Sequence, residues 1–375
     1  LSGRRRLATA GVHAGAFLGP FGGGVTVAML PELGADFGVS ASDASATIPA
    51  YLVPFAVLML FSGTLGARWG LRRSVLGAYG VSVVGSVVCV LADSFPLLLA
   101  GRGIQGVANA FTTPLLLATL ATTTPAGRLG RALGLFAAMQ AAGQTSGPLV
   151  GGLAAEATWR LAFVGVALTA AVLVVIGLPA DGRAGDAAVA GPVRLREAWR
   201  PATLRASVVA LVGWGCLGGL TFLVAFRAED RFGLGASERG VLLTVFGVVG
   251  ILTAGLVGRL LDRIGARAGV LVGAVAGAVP VALMGVVPWL AGVAVLWALA
   301  GLLAQFLQVG VNALVLTGEV NQAGAVSVVQ AFRFVGASAA PLVLTPVYHG
   351  SAAVAFLLPA ALLAVVPALV LVRRG

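Results

Sequence analysis

Residues 63–73, GTLGARWGLRR, and residues 258–267, GRLLDRIGAR, carry one pattern twice, 195 residues apart. Gly63, Arg68, Gly70 and Arg72 in the first copy answer to Gly258, Arg263, Gly265 and Arg267 in the second. At the fifth position the copies differ in charge, Ala67 against Asp262. Each copy is a short basic turn between long apolar runs. A motif recurring at so long an interval is the mark of a chain built from two related halves.

The surroundings of the turns set the class of protein. Charged residues make up 10% of the chain and apolar ones 59%, with a mean hydropathy of +1.03; soluble domains carry about 25% charged residues. A helical span needs about 20 mostly apolar residues. The sequence divides into twelve spans at 9–30, 45–66, 74–92, 97–120, 132–154, 161–179, 207–226, 240–260, 268–288, 291–316, 325–347 and 352–372. The alternating ten-residue strands of a membrane β-barrel are not visible. SGRRR and the run after it read as the first span, too long for a signal peptide. A few residues are expected to precede Leu1.

All 24 basic residues are arginine. With the N-terminus inside, eighteen fall on the cytoplasmic side, four (Arg160, Arg227, Arg231, Arg239) on the outer side, and Arg102 and Arg333 within spans. This asymmetry places both termini in the cytoplasm. It accounts for the net charge of +11 without a nucleic-acid partner. Cys89 and Cys216 fall in spans of different halves and read as packing residues.

A second correspondence extends the repeat. GQTSGPLVGG at 143–152 aligns with GASAAPLVLT at 336–345, an offset of 193. The expected organisation is therefore an N-terminal six-helix half over 1–179, a cytoplasmic linker over 180–206 and a C-terminal half over 207–375. Gly143, Gly147 and Gly151 recur every four residues and present a smooth face on which another backbone can approach. Pro148 removes a helix donor beside that face.

With these residues assembled, the sequence resembles the major facilitator superfamily, and within it the bacterial drug:proton antiporter branch. The basic turn is similar to the family's signature loop. Arg102-x-x-Gln105-Gly106-x-x-x-Ala110 resembles its fourth-helix pattern, and Gly143-x-x-x-Gly147-Pro148-x-x-Gly151-Gly152 its antiporter pattern. Trp159-Arg160-x-x-Phe163 at the start of the sixth helix is also usual there. The resemblance implies an all-α integral membrane protein of twelve transmembrane helices in two six-helix pseudo-repeats. It also implies that the glycine face is a hinge controlling leak across the halves. In the family the fifth position of the turn is usually an aspartate that holds the turn against the neighbouring half. Ala67 cannot accept such bonds, whereas Asp262 is expected to pair locally with Arg259 or Arg263.

Candidate substrate or coupling residues follow from polar groups inside spans, where an ionisable side chain is costly and marks function. Arg102 shares a helix face with Gln105, and Asn109 extends that row. Arg333 occupies the place of Gln140, which pairs at four residues with Gln144. These are expected to face the central cavity. Gln305, Gln308 and Asn312 share one face of the tenth helix. Tyr51, Trp214, Phe222, Phe226 and Trp297 are candidate aromatic walls, about half of them expected to face lipid or the interface. Of the 13 acidic residues, none is placed mid-membrane, and residues 21–24 read FGGG where the antiporter branch often has an aspartate. The proton candidates are then Glu32 and His13.

The leading expectation is a secondary transporter exporting small, mainly hydrophobic compounds by alternating access in exchange for protons. It would sit as a monomer in the bacterial cytoplasmic membrane. The alternatives are an uncoupled facilitator or exchanger of a neutral or anionic metabolite met by Arg102 or Arg333, and a membrane sensor or scaffold that transports nothing. An enzyme is disfavoured because the sequence has no H-E-x-x-H, no G-x-S-x-G and no cluster of acids, His or Cys within the spans. No metal or cofactor is expected.

Overall fold

The computed structural model describes residues 3–124, 126–179, 200–316 and 322–372. Two compact units divide the chain, Leu1–Val193 and Arg194–Gly375. In the first unit the helices are α1 (Gly3–Gly24), α2 (Leu30–Phe37), α3 (Ala41–Ala44), α4 (Thr47–Trp69), α5 (Leu71–Val90), α6 (Phe95–Ala110), α7 (Thr113–Thr123), α8 (Ala126–Ala155) and α9 (Arg160–Ile176). In the second they are α10 (Pro201–Gly215), α11 (Thr221–Phe232), α12 (Ala236–Ile264), α13 (Ala266–Met284), α14 (Leu290–Leu316), α15 (Gln322–Gly350) and α16 (Ala352–Val372). Taken with their continuations, α1–α2, α3–α4, α6–α7 and α10–α11, these form six spans in each unit. The fold is all-α and of the twelve-helix kind expected.

Among the described residues nine spans are long and apolar enough by themselves to cross a membrane. The other three have identifiable reasons to fall short. The fourth span is interrupted at Phe111 and Thr112, where the Thr112 hydroxyl donates to the Asn109 carbonyl and side-chain oxygens. The fifth, α8, is diluted by Gln140, Gln144, Thr145, Ser146 and Pro148, and α9 is shorter. Outward side chains such as Val175 and Leu252 are apolar and highly exposed, which suits hydrocarbon and not water. The protein is a multi-pass membrane protein.

The repeat is written into the backbone. In the first unit the main packing partners are α1 with α8, α4 with α6, α5 with α6 and α5 with α9. In the second they are α10 with α15, α12 with α14, α13 with α14 and α13 with α16, the same four pairings. The basic turns are one sharp bend between successive spans: Gly70 has φ 88° and Gly265 φ 86°, values that favour glycine. The same offset of 195 relates Gly38 and Gly233, left-handed residues that end α2 and α11. It also relates the next N-caps, where the Ser40 amide donates to Asp43 Oδ2 and the Gly235 amide to Glu238 Oε2.

Both units break their first span at the same stage. α1 ends in Gly22–Gly24 and a 3-10 turn at Val27–Met29 leads into α2, while α10 ends at Gly215 and Gly218–Leu220 leads into α11. Glycine is the poorest helix former after proline, so the breaks fall where the glycines cluster. Each break leaves carbonyls without intrahelical donors. α10 begins at Pro201, six residues before the expected start of that span, with proline at a first-turn position that needs no N–H. Residues 180–199 of the expected linker lie outside the described residues.

Candidate functional site

In the first unit, Arg102 is fully buried. Its Nη1 donates to the Gly22 carbonyl at 2.7 Å and to Gln105 Oε1 at 2.8 Å, its Nη2 to the Gly23 carbonyl at 3.2 Å, and its Nε to the Thr47 carbonyl at 3.3 Å. Gly22 and Gly23 belong to the last turn of α1, whose free carbonyls and negative dipole end attract a cation. The guanidinium also lies 4.5 Å from the centre of the Tyr51 ring. Gln105 passes the network on, its amide donating to Ser86 Oγ and Ser86 to the Ser82 carbonyl. The arginine nominated by sequence as a substrate contact is thus committed to carbonyls of α1 and α4. It ties the broken end of α1 to α4 and α6.

A small cavity lies beside this network, lined by Leu18, Gly19, Gly22, Tyr51, Ser82, Gln105, Asn109, Thr112 and Val166. Its polar atoms are largely used internally. The Tyr51 hydroxyl donates to the Gly19 carbonyl at 2.7 Å, and Asn109 Oδ1 accepts from Thr112.

The second unit holds a cavity between α10, α14 and α15. Val209, Leu217, Leu307, Val311 and Val329 form its apolar wall, and Trp214, Gln308, Asn312, Gln330 and Arg333 supply its polar groups. Arg333 is 9% exposed. Its Nη2 donates to Gln308 Oε1 at 3.0 Å and its Nη1 to Gln330 Oε1 at 3.3 Å. The guanidinium carbon lies 3.6 Å from the centre of the Trp214 ring. Its Nε is buried without a partner among the described residues.

The structure divides the remaining candidates. Gln308 and Asn312 line the second cavity, whereas Gln305 sits against Gly250 of α12 and is a contact between α12 and α14. Gln140 is half-buried and Gln144 exposed on α8, and neither lines a cavity. The aromatic residues are more buried than expected: Tyr51, Phe222, Phe226 and Trp297 are all buried and Trp214 is half-buried. Phe222 packs edge-on against Phe226 within α11, while Trp297 packs against Phe246 of α12 and so joins two helices. A ring on the inward side of a span saves more area from lipid contact than an interfacial ring does, and sequence alone does not give the rotation. His13 has a buried Nδ1 without a described partner, and Glu32 lies in the first turn of α2. Among the described residues, no acid or histidine lines either cavity.

The motif residues behave differently from one another. Gly143, Gly147 and Gly151 press on the Phe17, Phe21 and Val25 carbonyls, four residues apart on the first span. A Cβ at Gly147 would lie 2.9 Å from the Phe21 carbonyl oxygen. Pro148 is buried in α8 beside the end of α1. The face that the resemblance assigns to a hinge between halves is in this structure a close backbone contact within the first unit. Gly63 meets nothing nearby, Arg68 and Arg263 are exposed, and Arg72 Nε donates to the Leu178 carbonyl. Asp262 is exposed and forms no ion pair or hydrogen bond among the described residues; the expected pairing with Arg259 or Arg263 is absent. Solvation of all three exposed charges outweighs so weak a pair.

Sequence reasoning missed two buried arginines, one at the end of the seventh span and one at the start of the eighth. Arg227 and Arg239, counted as outer-loop residues, are 7% and 2% exposed. Arg227 donates to the Val287 carbonyl, and Arg239 donates to the Leu234 carbonyl and approaches Glu229. Tyr348 donates to Asp230 nearby at 2.8 Å. The matching signal was the mixed RAEDR run at 227–231, which reads as a loop but folds as the last turns of α11. Among the described residues no group of three or more His, Cys, Asp or Glu is placed to hold a metal.

Residues 12–237 match the family model described as Major Facilitator Superfamily. The chain belongs to that superfamily. It is 36% identical over 141 residues to the MFS-type transporter EfpA of Mycobacterium tuberculosis, covering 37% of this chain and 27% of that protein. It is 32% identical over 246 residues to a chloramphenicol resistance protein of Streptomyces lividans, covering 63% of this chain and 62% of that one. This superfamily member therefore spans between 27% and 62% of the length of these relatives. Solved structures agree on the fold. A bacterial homologue of the human lysosomal transporter Spinster superposes with a TM-score of 0.79 at 16% identity, covering 99% of this chain and 97% of that one. The human organic anion transporter MFSD10 superposes with a TM-score of 0.73 at 19% identity, covering 98% and 99%.

Proposed function

We propose that this superfamily member exports small, mainly hydrophobic compounds by alternating access, as a monomer in the bacterial cytoplasmic membrane with both termini cytoplasmic. The observation that carries the reading is the cavity between α10, α14 and α15, with its apolar wall and few convergent polar groups, the usual make-up of a small-molecule site. The likeness to a chloramphenicol resistance protein supports export, and chloramphenicol is the first compound to test. Exchange for protons belongs to the same proposal, with His13 and Glu32 as the carriers to examine.

A second reading, uncoupled movement of a neutral or anionic metabolite, is favoured by one observation: among the described residues, neither cavity is lined by a group that titrates near neutral pH. Purified protein in proteoliposomes separates the readings. Accumulation of chloramphenicol, or of a panel of small aromatic compounds, that follows an imposed pH gradient supports proton exchange. Movement that ignores the gradient supports the uncoupled reading. If nothing moves in either condition, both transport readings fall and a sensor or scaffold remains.

A further inference from the structure

We propose that the Arg333 end of the second-unit cavity recognises a single carboxylate carried by an otherwise apolar compound; the inference rests on the transport reading and narrows its substrate class.

The argument begins with unused hydrogen-bonding capacity. A guanidinium has five N–H donors in a fixed plane and cannot shed its charge. Arg102 places its charge against four acceptors, three of them backbone carbonyls. Arg333, also buried, has among the described residues only the neutral amide oxygens of Gln308 and Gln330, and its Nε has no described partner. A buried cation held by two amides, with no carboxylate among its described partners, is poised for an anion from outside the protein.

The surroundings define that anion. Trp214 lies against the face of the guanidinium, so the ring covers one face and leaves the N–H edges for hydrogen bonds in the plane. A planar carboxylate matches such an edge with two parallel bonds. Among the described residues, Arg333 is the one cation lining the cavity. One carboxylate neutralises it, whereas a phosphate dianion would bring an uncompensated charge into a poorly solvated site. The wall formed by Val209, Leu217, Leu307, Val311 and Val329 suits the apolar remainder of the molecule. Asn312 also lines the cavity and can serve a further polar atom.

Naphthoate, naphthamide and naphthyl phosphate share one ring system and differ in the group offered to Arg333. Binding of each to the purified, detergent-solubilised protein is measured by equilibrium dialysis, and transport of naphthoate and naphthamide in proteoliposomes. The parent protein should bind naphthoate at least about ten-fold more tightly than naphthamide, as a charge-assisted contact requires, and naphthyl phosphate more weakly than naphthoate. Arg333→Gln should bring naphthoate and naphthamide to the same affinity. Arg333→Lys, which keeps the charge but loses the planar edge, should retain part of the preference. Should Arg333→Gln not fold, the preference of the parent and its reduction by Arg333→Lys decide the matter.

Equal binding of naphthoate and naphthamide by the parent overturns the proposal. So does absence of naphthoate binding, tighter binding of the phosphate, or a preference that survives in Arg333→Gln. Naphthoate that binds with the expected preference but is not moved across the membrane sinks the transport reading and leaves the carboxylate site standing.

Discussion

Arg102 and Trp297 stand 195 residues apart, each the eighth residue of its helix, α6 or α14. Four residues on, Gly106 presses on the Tyr51 carbonyl and Gly301 on the Phe246 carbonyl, again 195 residues apart. The backbone contact is the same in both units, but what lies beside it is not. Arg102 lies over Tyr51, while Trp297 lies against Phe246 with ring centres 4.6 Å apart. Trp297 Nε1 donates to the Leu243 carbonyl at 3.2 Å, near where Arg102 reaches the Thr47 carbonyl in the other unit. The repeat therefore fixes how closely the helices approach and leaves the side chains free to differ. In one unit the buried charge is consumed at this position. In the other it has moved to α15, where Arg333 borders an open cavity.

The sharpest way to break this comparison is to force the first unit's chemistry on the second. Trp297→Arg should destabilise the protein by more than about 4 kcal/mol, because the aromatic packing is lost and a cation is buried with a single carbonyl nearby. Thermal unfolding in detergent measures it, and a stable, normally folded variant would mean that the two sites are interchangeable. Arg102→Leu should cost about 3 kcal/mol, since the Gly22, Gly23 and Thr47 carbonyls lose their donor. Unchanged stability would return Arg102 to the list of substrate contacts. Gly147→Leu should cost about 1–3 kcal/mol through overpacking against the Phe21 carbonyl and Gly24, and transport should fall with it. Normal transport by a stable Gly147→Leu protein would show that the closeness of α1 and α8 is dispensable. The smallest effect is expected at the basic turn: Asp262→Ala should change stability by no more than about 0.5 kcal/mol. A larger change would reveal a partner for Asp262 that the described residues lack.

The fold was legible because its signals are redundant. Hydropathy marks the spans, and the repeated turn marks the halves through Gly70 and Gly265, whose positive φ narrows the choice of residue. The candidate site was legible only in part. Arg333 and Gln308 stand out as polar residues in apolar helices, and the cavity gathers both with Asn312. The role of Arg102 depends on where α1 breaks, which brings the Gly22 and Gly23 carbonyls within reach across 79 and 80 positions of sequence. No local pattern encodes such a distance. The burial of Arg227 and Arg239 was hidden for a related reason: charge density reads as exposure, and only packing reveals that their donors end on backbone carbonyls.

The carboxylate site proposed at Arg333 carries a consequence for the molecules it would turn away. A guanidinium that keeps its proton is a fixed positive potential at the polar end of the cavity. A second unit positive charge brought within about 4 Å of it, at the effective dielectric of about 20 suited to protein sites, meets a repulsion of about 4 kcal/mol. That is roughly a thousand-fold in occupancy. Lipophilic cations would enter this cavity only with the charged end turned away, while neutral molecules pass the same test without penalty. On the proposed reading, ligands are sorted by the sign of their charge before shape is consulted.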